Sequence, residues 1–234
     1  MCKLFCSEKG WAIVDDAVQI RGGRGYETAR SLIGRGEEGV PLERMMRDFR
    51  INTLIEGSSE ILRLFIALSG LQRPGETLKE VAKAIQDPLH NFGQLADYAV
   101  KKITSLAGDR ITLAEHLLED EYSRVEEYTR HLAEVAEKVI RRYKKKIVEK
   151  EFVLERIAEM VIDLYVMTCV ISRVSSSIRR LGAEKAEPEI HICRTFCNLA
   201  WRRIRRNSRM IDRNDDEILT AVAVATLDKE AYPF

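Results

Sequence analysis

Helix breakers are scarce in this sequence: 5 prolines and 13 glycines among 234 residues, most of them between residues 22 and 108. Beyond that stretch the chain reads as long helices with few interruptions, which argues against a loop-rich or sheet-rich fold. Cysteine is also sparse. Five irregularly placed thiols cannot frame a disulfide scaffold in a chain this long, and they suit a reducing, cytosolic or matrix-like compartment. Charge of one sign is missing: the net charge is +1, so no basic field points to nucleic acid. The longest apolar run, Val161 to Ser172, is too short to span a bilayer and is interrupted by Asp163. It reads as a buried helix. The opening residues Met1-Cys2-Lys3-Leu4-Phe5 lead straight into a helical pattern and do not form a secretory signal.

What remains is 32% charged and 45% hydrophobic, the mixture of a helical protein with a sizeable core. Leu4, Trp11, Val14 and Val18 recur at helical steps and predict a first helix. No capping residue precedes it, which suggests a start inside a larger domain. Gly22, Gly23 and Gly25 end it, because glycine tolerates backbone angles that stop helices. Residues 27–41 read as a polar insert, and Pro41 opens a short helix to about Arg50. After a loop, Ser58 or Ser59 caps a helix carrying Ile61, Leu62, Phe65, Ile66 and Leu68, with Pro74-Gly75 as its end. Short helices are expected near 76–86 and 91–105. Val125, Tyr128, Leu132, Val135, Val139, Tyr143 and Ile147 then mark one long amphipathic helix, followed by helices at about 151–181, 188–210 and 214–228. The expected architecture is all-α, ending in an antiparallel helical bundle.

Two short segments carry chemistry. In Gln19-Ile20-Arg21-Gly22-Gly23-Arg24-Gly25-Tyr26, adjacent glycines allow backbone N–H groups to approach a phosphate closely, and Gln19 offers an amide. By itself this is as well explained as a glycine-rich helix stop. It follows a helix, so it is not the dinucleotide fingerprint of a parallel sheet. In Leu54-Ile55-Glu56-Gly57-Ser58-Ser59-Glu60-Ile61 a carboxylate lies between apolar residues and a helix start. Desolvation there would raise its pKa toward that of a working base. An acid placed to favour a helix dipole is the competing account.

Together the segments resemble a family. Gln19 to Tyr26 is similar to the "QILGGxGY" stretch of acyl-CoA dehydrogenases, and Arg47-Asp48 to their following "RD". Ile55-Glu56-Gly57-Ser58-Ser59-Glu60-Ile61 with Arg63 is similar to their "(F/Y)EGTxEIxR". Ala67 to Gln72, Ile162-Asp163-Leu164-Tyr165 and Ser172-Arg173 resemble the very-long-chain members, which carry an extra helical domain. Three departures stand out: Ile55 in place of an aromatic residue, Ser58 in place of threonine, and a longer interval between Tyr26 and Pro41.

The resemblance implies a partial catalytic helical domain over 1–72 and an extra helical bundle over 73–234. It implies FAD as cofactor and a fatty acyl-CoA as substrate, with Glu56 abstracting the α-proton. Gln19, Gly22 and Gly23 would meet the pyrophosphate or adenosine side of FAD across a homodimer interface. Ser58 and Glu60 would lie near FAD, and Gly57 near the thioester. It further implies an electron-transfer flavoprotein as acceptor and a cytoplasmic or, in a eukaryote, mitochondrial-matrix location, peripheral to the inner membrane. The family's amino-terminal helical and middle β domains have no counterpart here, so this chain alone is expected to bind FAD poorly and turn over little. The rival reading is a non-catalytic module for dimerisation or membrane docking.

Other signals carry less. His191, Cys193 and Cys197 lack a fourth ligand at a zinc spacing. The remaining histidines, His90, His116 and His131, suggest no paired nucleophile. The basic runs Arg141 to Lys146 and Arg202 to Arg206 read first as solvated helix faces, and otherwise as contacts to an anionic membrane, as does Leu89 to Leu106.

Overall fold

The structure, a computed structural model, describes residues 1–86 and 116–229, and among them every regular element is helical. The expected helix at 91–105, the stretch Leu89 to Leu106 and His90 lie outside the described residues. The chain divides into two compact units, Met1–Ile66 and Ala67–Phe234.

The first unit is built on α1, Cys2–Arg21, which packs on α3, Leu42–Asn52. Of the apolar stripe expected on α1, Leu4 and Val14 are buried, and Arg50 of α3 lies over the Trp11 ring, 5.9 Å from its centroid. The polar insert contains an element that the pattern did not foretell: α2, Ala29–Gly34. Thr28 caps it by accepting the Ser31 N–H at 3.2 Å, and Leu32 is fully buried. A single buried leucine leaves no periodicity to read. Helix α4, Ser59–Gln86, begins in this unit and is tied to α1 by a two-pronged ion pair, Arg63 to Glu8, at 2.7 and 2.8 Å. Pro74 does not end α4 as expected; it sits inside the helix. A proline there forfeits one backbone bond and crowds the carbonyl four residues back, which belongs to Gly70, a residue with no side chain to add to the crowding.

The second unit holds three long helices: α5, Glu119–Tyr143; α6, Glu151–Leu181; and α7, Glu187–Met210. Side-chain pairings give their directions. Asp163 of α6 meets Arg203 of α7, and Cys169 to Val174 face Glu189 and Ile192, so these two helices run antiparallel. Arg124, His131 and Arg142 of α5 meet Asn198, Ser208 and Asp212 in that order, so α5 runs parallel to α7. The result is the up-down-up packing expected of helices on short connections. Cys193, Cys197, Ala200 and Ile204, at steps of four and three, form a fully buried stripe on α7, and Leu154, Met160, Met167 and Ile171 are likewise fully buried on α6, which packs against it. The α5 helix stops at Tyr143, four residues short of its expected reach to Ile147. Lys144 takes a left-handed φ of 49°, and a 3₁₀ segment, Lys144–Glu149, follows.

Charge inside the bundle is answered by charge. Asp163 is 3% exposed, and Arg203 binds both its carboxylate oxygens at 2.6 to 3.1 Å. Arg156, also buried, holds Asp216 at the start of α8, Asp216–Lys229. The basic runs are partly spent in such pairs. Arg141 joins Glu137, Arg142 joins Asp212, and Arg205 stacks on Trp201 at 4.8 Å. Among the described residues no helix is long and apolar enough to cross a membrane.

Two outcomes follow from these pairs. Asp163→Asn, which leaves Arg203 half satisfied in the helix seam, is expected to cost about 2 kcal/mol in denaturant unfolding. The second concerns acid. Lys138 and Arg142 hold the Asp212 carboxyl below its ordinary value of 3.8. A carboxyl whose pKa falls on folding adds stability above its unfolded value and loses it as pH drops through the folded one. Asp212 is well exposed, so the effect is small and screened by salt. The loss of Tm between about pH 6 and about pH 3 should be smaller in Asp212→Asn than in wild type, and the gap should narrow in high salt.

Candidate active site

Glu56 lies on the loop between α3 and α4, and the local sequence explains the shape of that loop. Thr53 closes α3, its hydroxyl donating to the Arg50 carbonyl at 2.8 Å. Leu54 and Ile55 N–H groups reach back to the Ile51 carbonyl at 3.0 and 3.1 Å. Glu56 and Gly57 then take left-handed backbone angles in succession, with φ of 53° and 86°. For Gly57 this is easily reached, and a Cβ there would press on Leu62 at 3.0 Å. For Glu56 it costs on the order of 1 kcal/mol, so the surroundings must hold it. Ser59 N–H donates to the Thr53 carbonyl at 3.1 Å, closing the loop, and Ser58 Oγ faces the Ile61 N–H at 3.5 Å in the position of a helix cap.

The holding group is Lys3 of α1. Its ammonium donates to the Gly57 carbonyl at 2.7 Å and to the Ile55 carbonyl at 3.1 Å, one on each side of Glu56. Nothing in the sequence signals this. A lone lysine in the first turn of a helix has no motif, and only the crossing of α1 over the loop brings it there.

The side chain of Glu56 is exposed, as are Leu54 at 52% and Ile55 at 48%. The expected desolvated crevice is therefore not formed among the described residues. Two large apolar residues beside the carboxylate face solvent because no described residue covers them. Glu60 is exposed as well; its own backbone N–H and the Ser58 hydroxyl, with lesser help from Arg63 and Arg50, hold its carboxyl below the usual range. Ser58 and Glu60 thus share a local role, closing the first turn of α4.

Gln19, Gly22 and Gly23 are exposed at the other end of α1. Gly22 has φ of 62° and its N–H returns to the Gln19 carbonyl. A Cβ on either Gly22 or Gly23 would meet open space, so no described residue requires Gly23 to be glycine, and a ligand could approach its backbone closely. Gly25 differs. It is buried, and a Cβ would strike the Val18 backbone at 2.6 to 2.8 Å, so the tight return of the chain depends on it. From Lys3 to Gln19 helix α1 rises about 24 Å, at roughly 1.5 Å per residue. The structure thus separates the Glu56 loop from the Gln19–Gly23 edge within one chain.

The Cys193–Cys197 pair is a packing feature. Both are fully buried, and the neighbouring Cys193 thiol together with burial pushes the Cys197 thiol upward, which keeps it protonated. Among the described residues no cluster of potential ligands could hold a metal ion.

Comparison with known proteins finds two family matches. Residues 1–71 match the family model described as acyl-CoA dehydrogenase, C-terminal domain, and residues 116–232 match ACAD9/ACADV, C-terminal domain. The very long-chain specific mitochondrial acyl-CoA dehydrogenase of Rattus norvegicus is 36% identical over 220 residues, 92% of this chain and 32% of that protein. The human protein of the same name is 38% identical over 208 residues, 87% of this chain and 30% of its own length. A probable acyl-CoA dehydrogenase of Mycobacterium bovis is 32% identical over 241 residues, covering 97% of this chain and 36% of that protein. A solved acyl-CoA dehydrogenase from Bacillus anthracis, complexed with FAD, shares the fold with a TM-score of 0.63 at 24% identity, over 94% of this chain and 34% of that one. The chain spans about a third of the length of the curated relatives it matches. With the glycine edge and the Glu-Gly loop in one unit and the extra helical domain in the other, this chain belongs to the acyl-CoA dehydrogenase family, in the very-long-chain group that carries the ACAD9/ACADV carboxyl-terminal domain.

Proposed function

We propose that this chain is the carboxyl-terminal portion of an FAD-dependent acyl-CoA dehydrogenase acting on long or very long fatty acyl-CoA, with Glu56 as the α-proton base. The observation that supports it is the loop itself. A carboxylate is held at a costly backbone angle by a dedicated cation, beside two apolar side chains that remain open to a covering partner. At a reacting centre such strain aims a side chain. Covering Leu54 and Ile55 would exclude water from Glu56 and strengthen it as a base. Gly57, its carbonyl engaged by Lys3, would lie near the thioester.

FAD, when bound, supplies the acceptor for the β-hydrogen, which leaves as hydride. Gln19, Gly22 and Gly23 would hold the pyrophosphate or adenosine side, where the open space around Gly22 and Gly23 permits close backbone approach. Ser58 and Glu60 would lie near the same cofactor. In a homodimer the Gln19–Gly23 edge, about 24 Å along α1 from Lys3, would reach a cofactor across the subunit interface. On this reading residues 1–72 complete a catalytic domain and 73–234 form the added bundle. Electrons pass to an electron-transfer flavoprotein in the matrix or cytoplasm, near the inner membrane. One observation favours the non-catalytic module instead: α8 exposes Ile218, Leu219, Val222, Val224 and Leu227, an apolar helix suited to docking rather than to chemistry.

The test supplies the amino-terminal portion of an acyl-CoA dehydrogenase in trans with FAD and follows acyl-CoA oxidation with an artificial electron acceptor. Glu56→Gln should lower kcat roughly 10²–10⁴-fold without displacing flavin. Activity unaffected by that substitution would overturn the assignment of the base. Absence of a yellow complex and of turnover in wild type would favour the module.

A further inference from the structure

The Glu56 loop carries a second residue of consequence, and it is not in the loop. We propose that Lys3 is the positioning residue for Glu56: its ammonium fixes the direction of the carboxylate by gripping the peptide units on both sides of it. This rests on the reading of Glu56 as the base.

Three observations carry it. The two accepting carbonyls, Ile55 and Gly57, are the immediate neighbours of Glu56, so the lysine holds the backbone on either side of the residue it would aim. Glu56 and Gly57 both have positive φ, an uncommon conformation for a glutamate. The loop's backbone bonds fasten its two ends, Ile55 to Ile51 and Ser59 to Thr53, while Lys3 fastens its middle. An ammonium is suited to this. It offers three donors from one point and accepts nothing, so it can bridge two carbonyls at once.

The arrangement also makes the proposal testable without unfolding the unit. Helix α1 is held independently by Glu8 to Arg63 and by the burial of Leu4 and Val14. Lys3→Met keeps the length and apolar stem of the side chain and removes only the donors. Lys3→Arg returns donors on a different head group.

Amide hydrogen exchange of the full chain reads the grip, and reconstituted turnover reads its purpose. Expected results are faster exchange at residues 54–58 in Lys3→Met with unchanged protection along α1 and α3, and substantial recovery in Lys3→Arg. In the complex with the amino-terminal portion and FAD, kcat should fall on the order of ten- to a hundredfold in Lys3→Met while KM for acyl-CoA changes little, and Lys3→Arg should regain much of it. A loop equally protected in Lys3→Met would overturn the proposal. So would a loosened loop with undiminished kcat, or a loss confined to KM. If neither wild type nor variants turn over, the assignment of Glu56 has failed, and Lys3 as an aiming residue falls with it whatever the exchange shows. A change in exchange alone then describes only a loop fastening.

Discussion

Helix α1 must lie across both α3 and the beginning of α4, and the Glu8–Arg63 ion pair is what joins it to the second of these. The Arg63 side chain is only 15% exposed, so its two parallel bonds operate where water competes weakly. With α1 so placed, Lys3 falls onto the loop and Ser7 and Leu4 fall inside. Were α1 to rotate by one residue, about 100° on a helix, the lysine would leave the loop and the left-handed Glu56 would lose its support. One crossing thus links packing to the geometry of the candidate base.

The second unit shows the same dependence of order on a few charged pairs inside an apolar seam. Asp163 interrupts the most hydrophobic stretch of the chain, and it is accommodated because Arg203 of α7 lies opposite. Such a pair contributes little net stability against a well-packed apolar alternative. Its value lies in register, since sliding α7 along α6 by one turn would strand both charges. Arg156 and Asp216 do the same for α8, whose apolar side chains otherwise remain outside the packed bundle.

Much of this was legible in the residues. The long helices of the bundle follow from steps of three and four, and the glycine edge and Glu-Gly loop from their resemblance to a known family. The places where reading failed share a cause. Helix α2 rests on one buried leucine and one threonine cap, too few residues for periodicity to register. Pro74 stands inside α4 although proline usually ends a helix. The Glu56 carboxylate is exposed among the described residues, since desolvation belongs to whatever surrounds a residue and not to its sequence neighbours.

The amino-acid sequence by itself determined the helical class, the succession of long helices and the family, because these depend on local periodicity and on short motifs. Only the tertiary structure decided that Lys3 grips both sides of Glu56, that Gln19 and Gly23 stand at the far end of the same helix, and that Asp163 answers Arg203. Each of these joins residues distant along the chain through the direction in which a side chain leaves its helix. That direction is set when helices cross, and no local pattern encodes the crossing.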